Sequence, residues 1–280
     1  MGVPERRLGH DDLVRPHRGV RSARPGRTMR DRCANLLPVL PDGAAFSHVT
    51  AARLWGLPLS RREESASLHV VSRSGQHPRR PGVIAHRVNH FVGAIVAGMP
   101  VVAPPLAWAQ CAEVLELDEL VALGDALAGR WSPEAAAREV PLGELERAVE
   151  AWGSRRGARR LREALDLVRP DVWSPKETEL RLLLVRAGVP EPPGLNASIA
   201  DAAGNVIGHG DLVWPERRLV VEYEGDHHRT DRWQWRSDVA KYERYSDEGW
   251  RVVRATDDDL VTPGILVARI TRHLGSETVR

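Results

Sequence analysis

The chain has 280 residues, enough for two domains that each bury a core. Forty basic and 38 acidic side chains leave a net charge of +2, which excludes a uniformly polybasic nucleic-acid binder. No run of 18 apolar residues occurs, and the opening MGVPERRLGH lacks an apolar signal core, so the chain reads as soluble and cytoplasmic with no membrane partner. Cys33 and Cys111, far apart in apolar surroundings, are expected as buried thiols and not as a disulfide.

The charge is unevenly spread. Residues 1–170 hold 25 basic and 19 acidic side chains (+6), and residues 171–280 hold 15 and 19 (−4). Attraction to phosphate should therefore lean on the first part. Residues 1–32 are arginine-rich with little apolar periodicity, which suits either a partly ordered arm or a solvated leader. A short helix is predicted over Cys33–Leu40, stopped by Pro38 and Pro41. Phe46 to Leu59 reads as a compact helix. Ser47 or Thr50 would cap it, Ala51, Leu54 and Trp55 face inward, and Gly56 and Pro58 end it. Strands follow at Leu68–Ser72 and Val83–Val88. Together these stretches resemble the N-terminal region of abortive-infection-type antitoxin and regulator proteins, and Arg15-Pro-His-Arg-Gly resembles the tail of a winged-helix segment. The resemblance implies contact with DNA, whereas the residues alone fit a plain core helix equally well.

From Pro104 to Val168 the apolar spacing is helical, punctuated by Gly124, Gly129, Pro133, Pro141 and Gly153. The expected organisation is an α/β region over 1–103, a helical bundle or linker over 104–170, and a separate α/β domain over 171–280, with the boundary at Pro170. Arg155, Arg156, Arg159, Arg160 and Arg162 form the strongest basic cluster, a solvated helix face or a track for phosphates.

The last domain opens with Ser174-Pro-Lys-Glu. Ser174 as N-cap, Pro175 in the first turn and Glu177 three residues on make a capping box. Leu180, Leu183, Leu184 and Ala187 form the apolar stripe of that helix. A strand at Leu195–Ala200 and a turn at Asp201 lead to VIGHGDLVWPERRLVVEYEGDHH, residues 206–228. This stretch reads as two strands joined by a turn at Pro215–Arg218. If Trp214 faces Leu219, antiparallel pairing sets Asp211 opposite Glu222, with Cβ atoms about 5 Å apart, and alternation puts Glu224 on the same face. Three carboxylates on one patch repel one another unless something positive sits there, and oxygen ligands suit Mg²⁺ or Mn²⁺. A salt-bridged sheet rim, with Arg217, Arg218 or Arg229 as partners, is the alternative. A helix over Asp231–Glu248, with Trp235, Val239 and Tyr242 inward, would cross over to a buried parallel strand at Arg251–Thr256. A helix over Pro263–Leu274 would then cover the sheet. The two lysines of the chain, Lys176 and Lys241, flank the acidic hairpin. Trp233 and Trp235, between Arg232 and Arg236, suit stacking on bases, with Trp235 assigned to the core. No paired His/Cys spacing recurs, which argues against a zinc site.

Ser174-Pro-Lys-Glu-Thr, Gly-Asp-Leu-Val-Trp-Pro and Val-Glu-Tyr-Glu-Gly followed by His227-His228 resemble the PD-(D/E)XK nucleases, in particular domains akin to very-short-patch-repair endonucleases. The resemblance spans Asp171 to His273. It implies a restriction-endonuclease-like core of helix, three-strand meander, helix and strand. It also implies a divalent metal on Asp211 and Glu222, and Glu177 turned toward that metal. The superfamily's lysine, two residues after the second acid, is Glu224 here, where similar domains carry Asp. The proton-transfer group then falls to His227, His228 or Lys241. Two functions are expected: a Mg²⁺-dependent DNA endonuclease with no small-molecule cofactor, or a DNA-binding regulator or antitoxin whose nuclease fold is inactive.

Overall fold

The computed structural model describes residues 9–23, 25–60, 67–73, 80–130, 132–201, 203–225 and 232–275, with 232–239 described by their backbone alone. The protein is of mixed α/β class and divides into two compact units, Met1–Val168 and Arg169–Arg280, each built on a mixed sheet. The division falls beside Pro170, and the helices of 104–168 share one unit with the sheet that precedes them.

In the first unit, α1 spans Met29–Leu36. It begins before the expected Cys33 and ends before the expected Leu40, because Thr28 and Asp31 form a reciprocal capping box, Oγ1 accepting from Asp31 N–H at 3.1 Å and Oδ2 from Thr28 N–H at 3.2 Å, and Pro38 follows. Pro38 sits in a 3₁₀ turn after the helix, where its missing N–H costs nothing. Strand β1 (Ala44–Phe46) precedes helix α2 (His48–Leu54), so Phe46 belongs to the sheet and not to the helix. Ser47 holds the N-cap position without a side-chain cap bond. β2 (Leu68–Ser72) and β3 (Val83–Arg87) lie where the apolar runs predicted. β4 (Gly93–Val96) and β5 (Met99–Val102) have four residues each, too few to display alternation. The sheet order is β3-β2-β1-β5-β4. Helices α3 (Pro104–Cys111), α4 (Leu117–Ala128), α5 (Leu142–Trp152) and α6 (Ala158–Leu167) complete the unit. Cys33 and Cys111 are free, buried thiols, and burial pushes Cys33 up to about 12.

The second unit starts with α7 (Pro175–Arg186). Then come β6 (Gly194–Ala200), β7 (Val206–Trp214), β8 (Leu219–Tyr223), α8 (Arg232–Asp247) and β9 (Arg251–Ala255). The sheet order is β6-β7-β8-β9, antiparallel except for the parallel β8–β9 pair, which α8 connects. Trp214 faces Leu219, the register the turn implied. One face of the sheet presents Leu212, Trp214, Leu219, Val221, Val253 and Ala255 to Leu180 and Leu184 of α7 and to Leu266 and Ile270 of the last helix, α10 (Gly264–Gly275). Leu180 and Leu184 are buried and Leu183 packs against the same core, as the stripe predicts, whereas Ala187 is exposed. A short α9 (Asp257–Val261), capped through Thr256 and Asp259, was not anticipated. β9 is only half buried, with Arg251 and Arg254 outward.

The other face packs Ile199 and Val220 against Tyr245 of α8. A Cβ on Gly208 would lie 2.1 Å from the Tyr245 hydroxyl, so the glycine lets helix and strand approach. Tyr245 donates from that hydroxyl to the carbonyl of His209 at 2.9 Å, which fixes α8 over β7.

Candidate active site

Asp211 stands one step beyond the last ladder pair, Leu212–Val221, opposite Glu222. Its Oδ2 accepts the Tyr223 N–H at 2.8 Å, taking a bond that the strand ladder would otherwise make. Burial pushes the Asp211 carboxyl up to about 7, helped by the Glu177 and Glu222 carboxylates and opposed by the Tyr223 N–H and the Lys241 ammonium. An acid among acids, largely removed from water, favours its neutral form.

Each neighbour is held by its own element. Glu222 on β8 is 8% exposed, and Lys241 on α8 donates to both of its oxygens, at 2.7 and 2.8 Å. The ammonium also lies 5.5 Å from the Tyr245 ring and 5.9 Å from that of Tyr242. Lys241 on the helix thus reaches the second acid from outside its strand. Glu177 on α7 is equally buried. Its backbone N–H donates to Ser174 Oγ at 3.2 Å, as the capping motif implied. Its carboxylate does not return to Ser174. It accepts from the Trp173 N–H at 2.9 Å and from Asn196 Nδ2 at 2.6 Å. Asn196, at φ +44°, adopts the left-handed backbone that asparagine tolerates better than most residues, and its amide also donates to the Asp171 carbonyl at 2.8 Å. No spacing in the sequence marks Asn196, because its contact with Glu177 joins two distant elements.

Glu224 departs from the expected convergence. β8 ends at Tyr223, and beyond it Glu224 accepts from Arg254 at 3.2 Å and from the Tyr242 hydroxyl at 3.4 Å. It lines a cleft of about 390 Å³ with Val252, Thr256 and Arg269. Asp211 feels Glu177 and Glu222, so Glu177 takes the place predicted for Glu224. The reason is electrostatic: Arg254, beside Glu222 in the β8–β9 register, draws Glu224 toward the neighbouring strand. Among the described residues, no three carboxylates bring ligand oxygens within 4.8 Å of one another.

His227 and His228 lie outside the described residues, as do the side chains of Arg232, Trp233, Trp235, Arg236, Asp238 and Val239. Lys176 donates to Glu179 at 2.9 Å and to Asp257 at 2.8 Å, on the α9 side of the unit. Of the expected rim partners, Arg218 binds the Glu248 carbonyl at 2.7 Å. His209 shares a hydrogen bond with Ser198 at 3.1 Å, a structural role. In the first unit's arginine cluster, Arg155 lies over the Trp152 ring and donates to the Ala151 and Trp152 carbonyls. Arg160 binds the Leu115 carbonyl and Glu116, and Arg162 binds the Gly153 carbonyl. These three arginines tie down backbone.

The chain is similar to two uncharacterised proteins of Mycobacterium tuberculosis, MT2308 of strain CDC 1551 / Oshkosh and Rv2248 of strain ATCC 25618 / H37Rv. Each is 29% identical over 235 residues, covering 80% of this chain and 79% of the relative. That coverage exceeds the 168 residues of the first unit, so the likeness crosses the division between units. No family model and no solved structure matches the chain.

Proposed function

We propose that the protein is a metal-dependent DNA endonuclease whose second unit has a restriction-endonuclease-like core. The observation that carries the reading is Asp211, a carboxylate raised to about 7 beside Glu177 and Glu222 on a sheet with a parallel crossover. A divalent cation fits this set. All donors are oxygens, and a positive charge would relieve the crowding that now favours protonated Asp211. Asp211 and Glu222 would hold Mg²⁺ or Mn²⁺, with Glu177 beside them. When bound, such an ion polarises a phosphoryl oxygen and lowers the pKa of an attacking water. The chain's own groups do the rest. Lys241 fixes Glu222 through both oxygens, and its ammonium is placed to act as a phosphate clamp. Asn196 and the Trp173 N–H orient Glu177. Proton transfer is assigned to His227 or His228, whose ordinary titration range suits it. Glu224 with Arg254 and Arg269 borders the adjoining cleft, where the arginines suit a phosphate backbone.

The test is cleavage of supercoiled plasmid by the full chain with Mg²⁺, Mn²⁺ or chelator. The wild type should nick or linearise DNA with metal alone, and Asp211→Asn should abolish this while still binding DNA. A wild type inert with every divalent metal would sink the endonuclease reading in favour of a DNA-binding regulator or antitoxin with a silent nuclease fold.

A further inference from the structure

Three histidines meet in the first unit, far in sequence from the carboxylates. His48 opens α2, His69 lies in β2 and His86 in β3. The parallel β2–β3 register pairs His69 with Ile84 and Val71 with His86, making the two histidines diagonal neighbours on one face. Their Nδ1 and Nε2 atoms are 3.0 Å apart. The His48 ring stacks on His86 with centroids 3.8 Å apart and lies 5.0 Å from His69. One ligand nitrogen from each ring falls within 4.8 Å of the others.

The surroundings aim these rings. His48 is 2% exposed and sits at φ +51°, its N–H held by Gln110 Oε1 at 3.1 Å. Its Nδ1 faces Ser47 Oγ at 3.0 Å. Its Nε2 is buried with no hydrogen-bond partner. Glu113 Oε2 is 3.7 Å away, too far for a hydrogen bond. The Thr50 hydroxyl pins the His69 N–H at 2.9 Å.

We propose that His48, His69 and His86, with Glu113 beside them, form a binding site for one Zn²⁺-type transition-metal ion. A hydrogen-bonded His69–His86 pair would satisfy two rings but leave His48 Nε2 orphaned in a buried site, which is costly. An ion at the centre satisfies all three. Zn–N bonds of about 2.0–2.1 Å place tetrahedral ligand nitrogens about 3.3 Å apart, near the present His69–His86 spacing. The Ser47 contact at Nδ1 leaves the His48 Nε2 lone pair for the metal, the usual outer-sphere arrangement. Imidazoles with one carboxylate select zinc or cobalt over Mg²⁺, which distinguishes this site from the proposed carboxylate one. The sequence expectation of no zinc site rested on local spacing, and this cluster is assembled by tertiary structure.

The experiment uses untagged full-length protein stripped with chelator, titrated with Zn²⁺ by calorimetry and with Co²⁺ by visible absorption. One ion per chain is expected, with the intense Co²⁺ bands of a tetrahedral site. His86→Gln, at a half-buried ring, should fold as judged by circular dichroism. It should weaken binding by more than the roughly 10–100-fold that outer-sphere partners are worth. Asp211→Asn and the double variant His227→Ala/His228→Ala should bind as the wild type does, whatever becomes of the endonuclease reading. Absence of saturable Zn²⁺ uptake, or uptake unaffected by both His86→Gln and His69→Gln, would overturn the assignment.

Discussion

At Asp211, burial and two acids act together, and the consequence for stability runs opposite to that of an ordinary surface carboxylate. Its folded value of about 7 lies above the unfolded value of about 3.9. Between those limits the folded state keeps a proton that the unfolded chain has lost. The resulting stability is fully present below pH ~4 and is lost as pH rises through about 7. In chelator, Asp211→Asn should therefore stabilise the protein at pH 8 by on the order of 2 kcal/mol and do little near pH 4. Asn can still accept the Tyr223 N–H. With Mg²⁺ the wild type should gain melting temperature by mass action and the variant should not. Calorimetry with and without Mg²⁺ measures both effects, and an unchanged Mg²⁺ shift in the variant would remove Asp211 as a ligand. Lys241→Ala removes the ammonium that binds both Glu222 oxygens. It should cost about 1–3 kcal/mol in urea unfolding and slow cleavage without moving the pH midpoint. A shifted midpoint would make Lys241 the base. The pairing of Asp211 with Glu222 was legible because both lie in apolar runs joined by a short turn. Glu177 carries a double reading, capping-box acid and site residue; only its backbone N–H meets Ser174, while its carboxylate binds Trp173 N–H and Asn196 and bears on Asp211. Glu224 keeps the Glu222 face, against Tyr242 of α8, but its carboxylate is held by Arg254, an ion pair across strands that alternation does not reveal.

Among elements, α8 and β7 position Lys241 over the sheet, and their approach depends on Gly208 against Tyr245. Gly208→Ala should destabilise the second unit by about 1–3 kcal/mol through overpacking. Tyr245→Phe should cost about 1 kcal/mol for the lost bond to the His209 carbonyl. Because the hydroxyl is the atom a new Cβ would strike first, the double variant should be more stable than the sum of the two losses. Strict additivity in denaturant unfolding would show that α8 does not rest on this contact. Strand and helix positions in this unit could be read from period and punctuation, since β7 and β8 are long apolar runs ending in turn residues. The strands β1, β4 and β5 could not. Each has three or four residues, and they are ordered by pairing across the chain and not by local pattern. The histidine cluster was illegible for the same reason, because its three rings come from separate elements.

At the scale of the whole molecule, the charge division bears on how DNA would be held. Residues 1–170 carry +6 and residues 171–280 carry −4, so on the proposed endonuclease reading the unit that bears the carboxylates would meet a polyanion with a net negative charge. Residues within one compact unit share most of their contacts, and a chain divided after Val168 should yield two fragments that each fold. The first fragment should supply most of the attraction, with affinity falling steeply as added salt makes counterion release less favourable. Its arginine cluster should contribute less than a count suggests, because Arg155, Arg160 and Arg162 already bind backbone carbonyls. Replacing those three should lower stability more than DNA affinity. Fluorescence anisotropy with duplex DNA at two salt concentrations compares the full chain, residues 1–168 and residues 169–280. The first two should bind with similar salt slopes, and the third weakly. Tight binding by residues 169–280 alone would place the phosphate contacts beside the carboxylates, at Arg254 and Arg269 of the cleft, and would overturn this division of labour.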